Sequence, residues 1–295
     1  MLRLSVFTLG LLLSFSSCEK DIAIKLQPAS TDLVVDASIE NGQFPRVYLS
    51  SSISYFSQVD PAILARSFVH HAGVSMYDGN QTAQLKEDSV PGNNSQPMIY
   101  YYSFNAGDTG RKFVGLFNHR YDLTITVDDK TYTASTTITS INKRIDSLWW
   151  VPAPGGGDSN DVVVRARIID PAGLGDYTRY YTRVNDGPFY PGLQSVFDDQ
   201  ITDGTIYSVN VDRGVDRNLT INLDNYSFFS KGDTVQIKLA NIDKATYDFW
   251  RTMEYNYQSI GNPFSSPTRV ISNISNGALG YFGGYAAQYT SLIIQ

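Results

Sequence analysis

The sequence predicts a mainly β chain of two β-sandwich-like domains, the first immunoglobulin-like, with one α-helix in the second. Three observations carry this. Apolar and polar residues alternate with period two over most of the chain, the pattern of strands buried on one face. Turn signals such as Asn41-Gly42, Asp78-Gly79 and Asp128-Asp129 interrupt the alternation at short intervals. One late stretch, near residues 242–258, keeps helical spacing instead.

In the first domain, residues 32–140, the run Leu33-Val34-Val35-Asp36-Ala37-Ser38-Ile39 predicts a strand leading into Asn41-Gly42. Val47 and Leu49 alternate with polar neighbours from Arg46 to Ser50, and Val69 to Tyr77 reads as a further strand. Ser89 to Pro97 has no apolar period and reads as an exposed loop. Tyr121, Leu123, Ile125 and Val127 alternate with polar residues; Asp128-Asp129 then turns the chain into the threonine-rich strand Tyr132 to Ile138. Threonine suits this place because its branched side chain packs well on a pleated surface. About seven short strands in a unit of this size match an immunoglobulin-like sandwich.

The boundary falls near Ser140 to Arg144, and residues 145–295 form the second domain. Ile145 to Val151 predicts a strand, and Pro152-Ala153-Pro154-Gly155-Gly156-Gly157 a loop. Val162 to Ile169, Tyr177 to Val184 and the alternation through Val235, Ile237 and Leu239 predict three more strands, with an irregular section from Asn185 to Gly204. Asn241 is placed at the helix N-cap, with Asp243 in the first turn. Ile242, Ala245, Phe249, Met253 and Tyr257 form the helical stripe, which stops before Gly261-Asn262-Pro263.

The chain begins with a secretory leader. Arg3 precedes an apolar run from Leu4 to Phe15, and small residues Ser16-Ser17 stand before Cys18, the one cysteine of the sequence. The run is shorter than the roughly 20 residues a membrane span needs. Residues 1–17 therefore read as a lipoprotein signal peptide, Cys18 as the lipid attachment point, and residues 18–31 as a lipidated tether. Loss of Arg3 with the leader moves the net charge from −6 to −7. A mildly acidic chain argues against nucleic acid and against an electrostatic hold on anionic lipid. Attachment to the membrane then rests on acyl chains at Cys18, each buried methylene contributing about 0.8 kcal/mol.

Three stretches carry a family resemblance. The first is Cys18-Glu19-Lys20-Asp21 with Leu33 through Gly42, and the second is Tyr121 through Ile125, Tyr132 through Ile138 and Ile145-Asp146-Ser147. The most specific is Asn262-Pro263-Phe264, Pro267 and Asn273-Ile274-Ser275-Asn276-Gly277-Ala278-Leu279-Gly280-Tyr281-Phe282-Gly283-Gly284-Tyr285. In these the chain resembles a Bacteroidota family of predicted outer-membrane lipoproteins, domain-of-unknown-function family 4249. Glu19, Lys20 and Asp21 resemble the export signal of surface lipoproteins in that group. The resemblance implies a lipid-anchored protein on the outer membrane, facing the cell exterior, with a TonB-dependent outer-membrane receptor as partner. It brings no catalytic or ligand-binding residues.

The residues themselves offer little chemistry. Gly277 to Gly284 lacks the lysine and the strand-then-helix setting of a phosphate loop, so close backbone packing is the expectation there. His70 and His71, adjacent in a predicted strand, point to opposite faces and cannot chelate together; His119 lies far away in sequence. Asp198, Asp199 and Asp203 are the densest carboxylates and weak calcium candidates, although the glycine and closing glutamate of a helix-loop-helix calcium loop are missing. A hydrolase built on them is the reading with least behind it, since no nucleophile elbow accompanies them. Tyr100-Tyr101-Tyr102, Tyr180-Tyr181, Trp149-Trp150 and the loop Pro188-Phe189-Tyr190-Pro191 offer rings for contact with sugar or protein. No cofactor, metal or catalytic residue is expected. The expected role is a non-catalytic accessory subunit of a TonB-dependent transporter in nutrient capture; a free-standing surface module binding glycan or protein is the alternative.

Overall fold

A computed structural model describes residues 31–53, 61–92, 98–104, 113–154, 159–260, 262, 264–266 and 268–295. The leader, Cys18, Glu19, Lys20 and Asp21, the glycines 155–157, and Gly261, Pro263 and Pro267 lie outside the described residues. Half of the residues are in strands and a tenth in helices, so the chain is mainly β. Residues 31–53 and 57–295 group into one compact unit; a second grouping, residues 1–30 with 54–56, falls outside the described residues. Among the described residues no helix is long and apolar enough to cross a membrane.

The first half contains β1 (Leu33–Glu40), β2 (Arg46–Ser51), the short helix α1 (Pro61–Ser67), β3 (Gly73–Tyr77) and β4 (Thr82–Val90). It continues through β5 (Ile99–Ser103), β6 (His119–Val127) and β7 (Lys130–Ile138). The second half contains β8 (Arg144–Pro152), β9 (Asp161–Ile169), β10 (Tyr177–Val184), β11 (Tyr190–Phe197), β12 (Ile206–Val211) and β13 (Phe229–Ser230). It ends with β14 (Thr234–Ile242), the helix α2 (Lys244–Ser259) and the long strand β15 (Leu279–Ile293). The tight β6–β7 turn is made by Asp128 and Asp129, both at positive φ, as the right-handed strand twist requires of a two-residue hairpin.

An eleven-stranded sheet runs in the order β11-β10-β14-β15-β1-β2-β5-β4-β3-β6-β7. β15 is its joint, pairing antiparallel with β14 and parallel with β1, so the last strand of the chain belongs to both halves. The first core lies inside the curled portion. Val35, Ala37 and Ile39 of β1, Val47 and Leu49 of β2, and Leu123 and Ile125 of β6 meet Phe282 and Ala286 of β15 there. Each of the Val, Leu, Ile and Phe side chains among them contributes about 1.5–3 kcal/mol by leaving water. The curl brings β7 back onto β15, where the Gly284 N–H donates to Thr136 Oγ1 at 2.6 Å.

The glycines of β15 are explained by that approach. A Cβ on Gly284 would lie 2.8 Å from backbone atoms of Thr137, and one on Gly280, at φ +99°, would lie 1.8 Å from the Val35 carbonyl oxygen. Close packing is thus the role of Gly280, Gly283 and Gly284 in β15, whereas Gly277, at φ +76° with open space around it, serves the turn before the strand.

In the second half, a smaller sheet of β12-β9-β13, with β8 also on β9, faces the β10–β14–β15 part of the large sheet. Val162, Val164, Ala166 and Ile168 pack there against Val235, Ile237 and Leu239. α2 covers the opposite face, setting Tyr247 and Phe249 against Tyr281, Tyr285 and Ala287. The result is smaller sheet, large sheet and helix in three layers.

Several expectations are corrected. Asn241 and Ile242 belong to β14, and the helix N-cap is Asp243, whose carboxylate accepts the Thr246 N–H at 2.8 Å. The strand runs straight into the helix, so strand and helix periods overlap and hide the junction. β11 lies within the section read as irregular, because Pro191 and Gly192 disguise an edge strand. α1 is a second helix that the sequence did not suggest. Ser89 and Val90 end β4 and pair with Tyr100 and Ile99 rather than opening a loop; residues 93–97 of that stretch lie outside the described residues.

Candidate functional site

A concavity lies between the two sheets of the second half. It holds about 480 Å³, within the range of small-ligand sites. Ile168 of β9, Tyr180 of β10, Phe197 of β11, Val211 of β12 and Leu239 of β14 supply its apolar walls. The inward-pointing residues of successive strands place them there, as period two dictates. Lys143, Asp198 and Thr202 line one end; Gln194, Asn210 and Asp212 supply further polar atoms. Burial pushes the Asp212 carboxyl above the ordinary carboxylate range, partly opposed by the Tyr226 hydroxyl, which donates to it at 3.4 Å. The Tyr180 hydroxyl is raised by burial and then by the nearby Asp212. That hydroxyl requires a glycine opposite, since a Cβ on Gly192 would stand 1.9 Å from it.

Beside this end sits a polar cluster. Lys143 is 2 % exposed. Its Nζ lies 2.8 Å from Asp170 Oδ2, donates to Thr202 Oγ1 at 3.3 Å and reaches the Asp198 carbonyl at 3.5 Å. Asn241 fixes the Lys143 backbone by accepting its N–H at 3.0 Å and donating to its carbonyl at 2.9 Å. The charged end is thereby held by a side chain of β14 rather than by a loose loop. Asp176, across the same loop from Asp170, accepts from Asn142 Nδ2 at 2.8 Å. Burial raises the Asp176 carboxyl, and the neighbouring Asp170 and Asp199 add to the rise.

The three aspartates singled out in the sequence part company here. Asp199 is buried and its Oδ2 accepts the Gly175 and Asp176 N–H groups at 2.8 and 2.9 Å. Asp198 accepts the Tyr247 hydroxyl at 2.9 Å; burial, and after it this contact, pushes that phenol up to about 12. Asp203 accepts the Gly173 N–H at 2.6 Å. Within one metal-compatible group the structure places Asp199 with Asp170 and Asp176, not with Asp198 and Asp203. Asp170 and Asp176 were missed because they flank the β9–β10 loop, about 25 residues from Asp199 in sequence. Lys143 falls within the expected domain boundary near Ser140 to Arg144, and its position between the end of one strand and the start of the next was the available signal.

The histidines and aromatics resolve otherwise. His70 and His71 precede β3 in a bend, with His71 at φ +58°, instead of alternating within a strand. Glu87 holds both: His70 Nδ1 lies 2.5 Å from Oε1, and the His71 N–H donates to Oε2 at 3.0 Å. His119 opens β6 and contacts the Asp78 carbonyl. Tyr101 and Tyr102 are both buried despite facing opposite ways, Tyr180 is buried, and Trp149 and Trp150 are half-buried. Phe189 packs edge-on to Tyr289, and the Tyr190 hydroxyl donates to Asp216.

A second concavity of about 800 Å³ lies on the outer face of the large sheet. It combines the rings of Phe44, Tyr101, Phe104 and Tyr289 with Glu40 and Arg46.

Fold and cavity together define a mainly β protein of two stacked sheets, with an open apolar space between them and a charged cluster at its end. The chain belongs to the family described as domain of unknown function (DUF4249), whose model matches residues 19–291. No curated protein matches the chain.

Proposed function

We propose that this protein is a non-catalytic lipoprotein of the outer membrane, held by lipid on Cys18 and directed outward by Glu19, Lys20 and Asp21. In this reading it captures a small nutrient as the accessory subunit of a TonB-dependent transporter. The observation that carries the binding role is the inter-sheet cavity of about 480 Å³, apolar along its walls and polar at one end. The leader sequence supplies the address, and the family resemblance supplies the barrel. Crosslinking in intact cells, followed by affinity purification and mass spectrometry, tests it. One dominant TonB-dependent barrel is the expected companion; recovery of no barrel overturns the transporter role.

A specific observation favours one other reading. The outer groove of about 800 Å³ sets aromatic rings beside carboxylates and an arginine, the combination that stacks on and hydrogen-bonds to sugars. A free-standing glycan-binding module would bind oligosaccharides saturably without a barrel, and Tyr289→Ala would abolish that binding. Tyr289, 49 % exposed, is the ring of that groove most open to a ligand.

A further inference from the structure

We propose that Asp170, Asp176 and Asp199 hold a calcium ion that ties the β9–β10 loop to the β11–β12 loop. One carboxylate oxygen from each of the three lies within 4.8 Å of the others. Oxygens bound to one calcium at about 2.3–2.6 Å stand up to about 5 Å apart, so this spacing is compatible with a shared ion. A purely carboxylate set suits a hard cation and not zinc or copper.

A second observation points the same way without reference to clustering. The Asp170 side chain is fully enclosed, and its Oδ1 has no hydrogen-bond partner. Its Oδ2 is already engaged by Lys143 Nζ and by the Thr202 hydroxyl, each at 2.8 Å. A buried carboxylate oxygen left unpaired keeps its full desolvation penalty, and a cation removes it. Asp199 and Asp176 likewise have one oxygen each committed, to the loop N–H groups and to Asn142.

Charge leads to the same place. Among the described residues, Lys143 is the cation paired with this group. Three carboxylates against one ammonium leave two negative charges, the charge that a divalent ion neutralises. Backbone carbonyls of the two loops and water complete the six to eight oxygens that calcium takes. The ion would fasten the loops beside Lys143, at the polar end of the inter-sheet cavity, whether or not the protein partners a barrel.

The test is calorimetric titration of the full-length, detergent-solubilised chain with CaCl2 and with MgCl2 after chelator treatment, together with thermal unfolding. The expected result is one calcium per chain with Kd between about 10⁻⁵ and 10⁻³ M, from the weak end of sensor sites to extracellular modules. Tm then rises by roughly 2 °C or more in about 5 mM CaCl2. Asp199→Asn keeps an acceptor for the Gly175 and Asp176 N–H groups but weakens calcium at least about tenfold, by loss of one ligand charge. Asp176→Asn does the same and stands in if the first variant fails to fold. Asp198→Asn and Asp203→Asn leave calcium binding unchanged. Absence of calcium binding by the parent chain overturns the proposal, and so does calcium binding that survives both Asp176→Asn and Asp199→Asn.

Discussion

At Lys143 an ammonium group is withdrawn from water and set against Asp170, also buried, with Thr202 and a backbone carbonyl completing its contacts. Breaking a buried pair from one side strands the other charge. Lys143→Met is therefore expected to cost about 3–5 kcal/mol, read as a lower urea midpoint. Asp212 makes the opposite case. Its carboxyl is raised in the folded chain by burial, so the folded state holds its proton more tightly than the unfolded state does. Stability is consequently lost as pH rises from below the usual carboxylate value through the raised one. Asp212→Asn should raise Tm at pH 7 and leave it unchanged at pH 3, by calorimetry at the two values. Much of the site was hidden at this scale. Asp199 was legible because acidic neighbours crowd it in sequence, whereas Lys143, Asp170 and Asp176 meet it only after three strand ends converge.

α2 is the clearest element in which local and long-range demands coincide. Asp243 caps it through Oδ1 and the Thr246 N–H, while Oδ2 accepts from Thr136 Oγ1 at 2.7 Å and the Thr137 N–H at 3.1 Å. One carboxylate thus starts a helix of the second half and clasps a strand of the first. Asp243→Ala should cost about 2 kcal/mol, the upper end for a lost cap, and lower Tm by roughly 4–8 °C in a thermal melt. The other end of the helix is tied to the sheet through Glu254, which accepts the Ser195 N–H at 2.8 Å and pairs with Arg217 at 2.9 Å. Arg179 lies beneath it, its guanidinium 3.4 Å from the Trp250 ring centre. Elements with strong alternation, such as β1, β6 and β7, were readable because one face is core and the other largely polar; β10 is covered on both faces, by the smaller sheet and by α2. β11 and the start of α2 were not readable: Pro191 and Gly192 suit an edge strand held by tertiary contacts, and Ile242 satisfies both periods.

Across the whole molecule, β15 decides how the halves cohere. It hydrogen-bonds to β1 through seven aligned residue pairs and to β14 through nine. Phe282 and Ala286 enter the first core, whereas Ile294, just beyond the strand, enters the second. A chain ending at Asn276 should lose both cores, with collapse of the β signal in far-ultraviolet circular dichroism. The sequence points to sandwich-like halves, each with its own alternation. It does not reveal that they share a strand, because pairing between residues some 245 positions apart leaves no local mark. That distance has a consequence in time. Emerging at about 5–20 residues per second, β1 waits roughly 12–50 s before its neighbour β15 exists. Until then the first-made half carries an open sheet edge and a core lacking Phe282 and Ala286. Such a chain cannot lock itself shut while it is being made; closure of its sheet waits for β15.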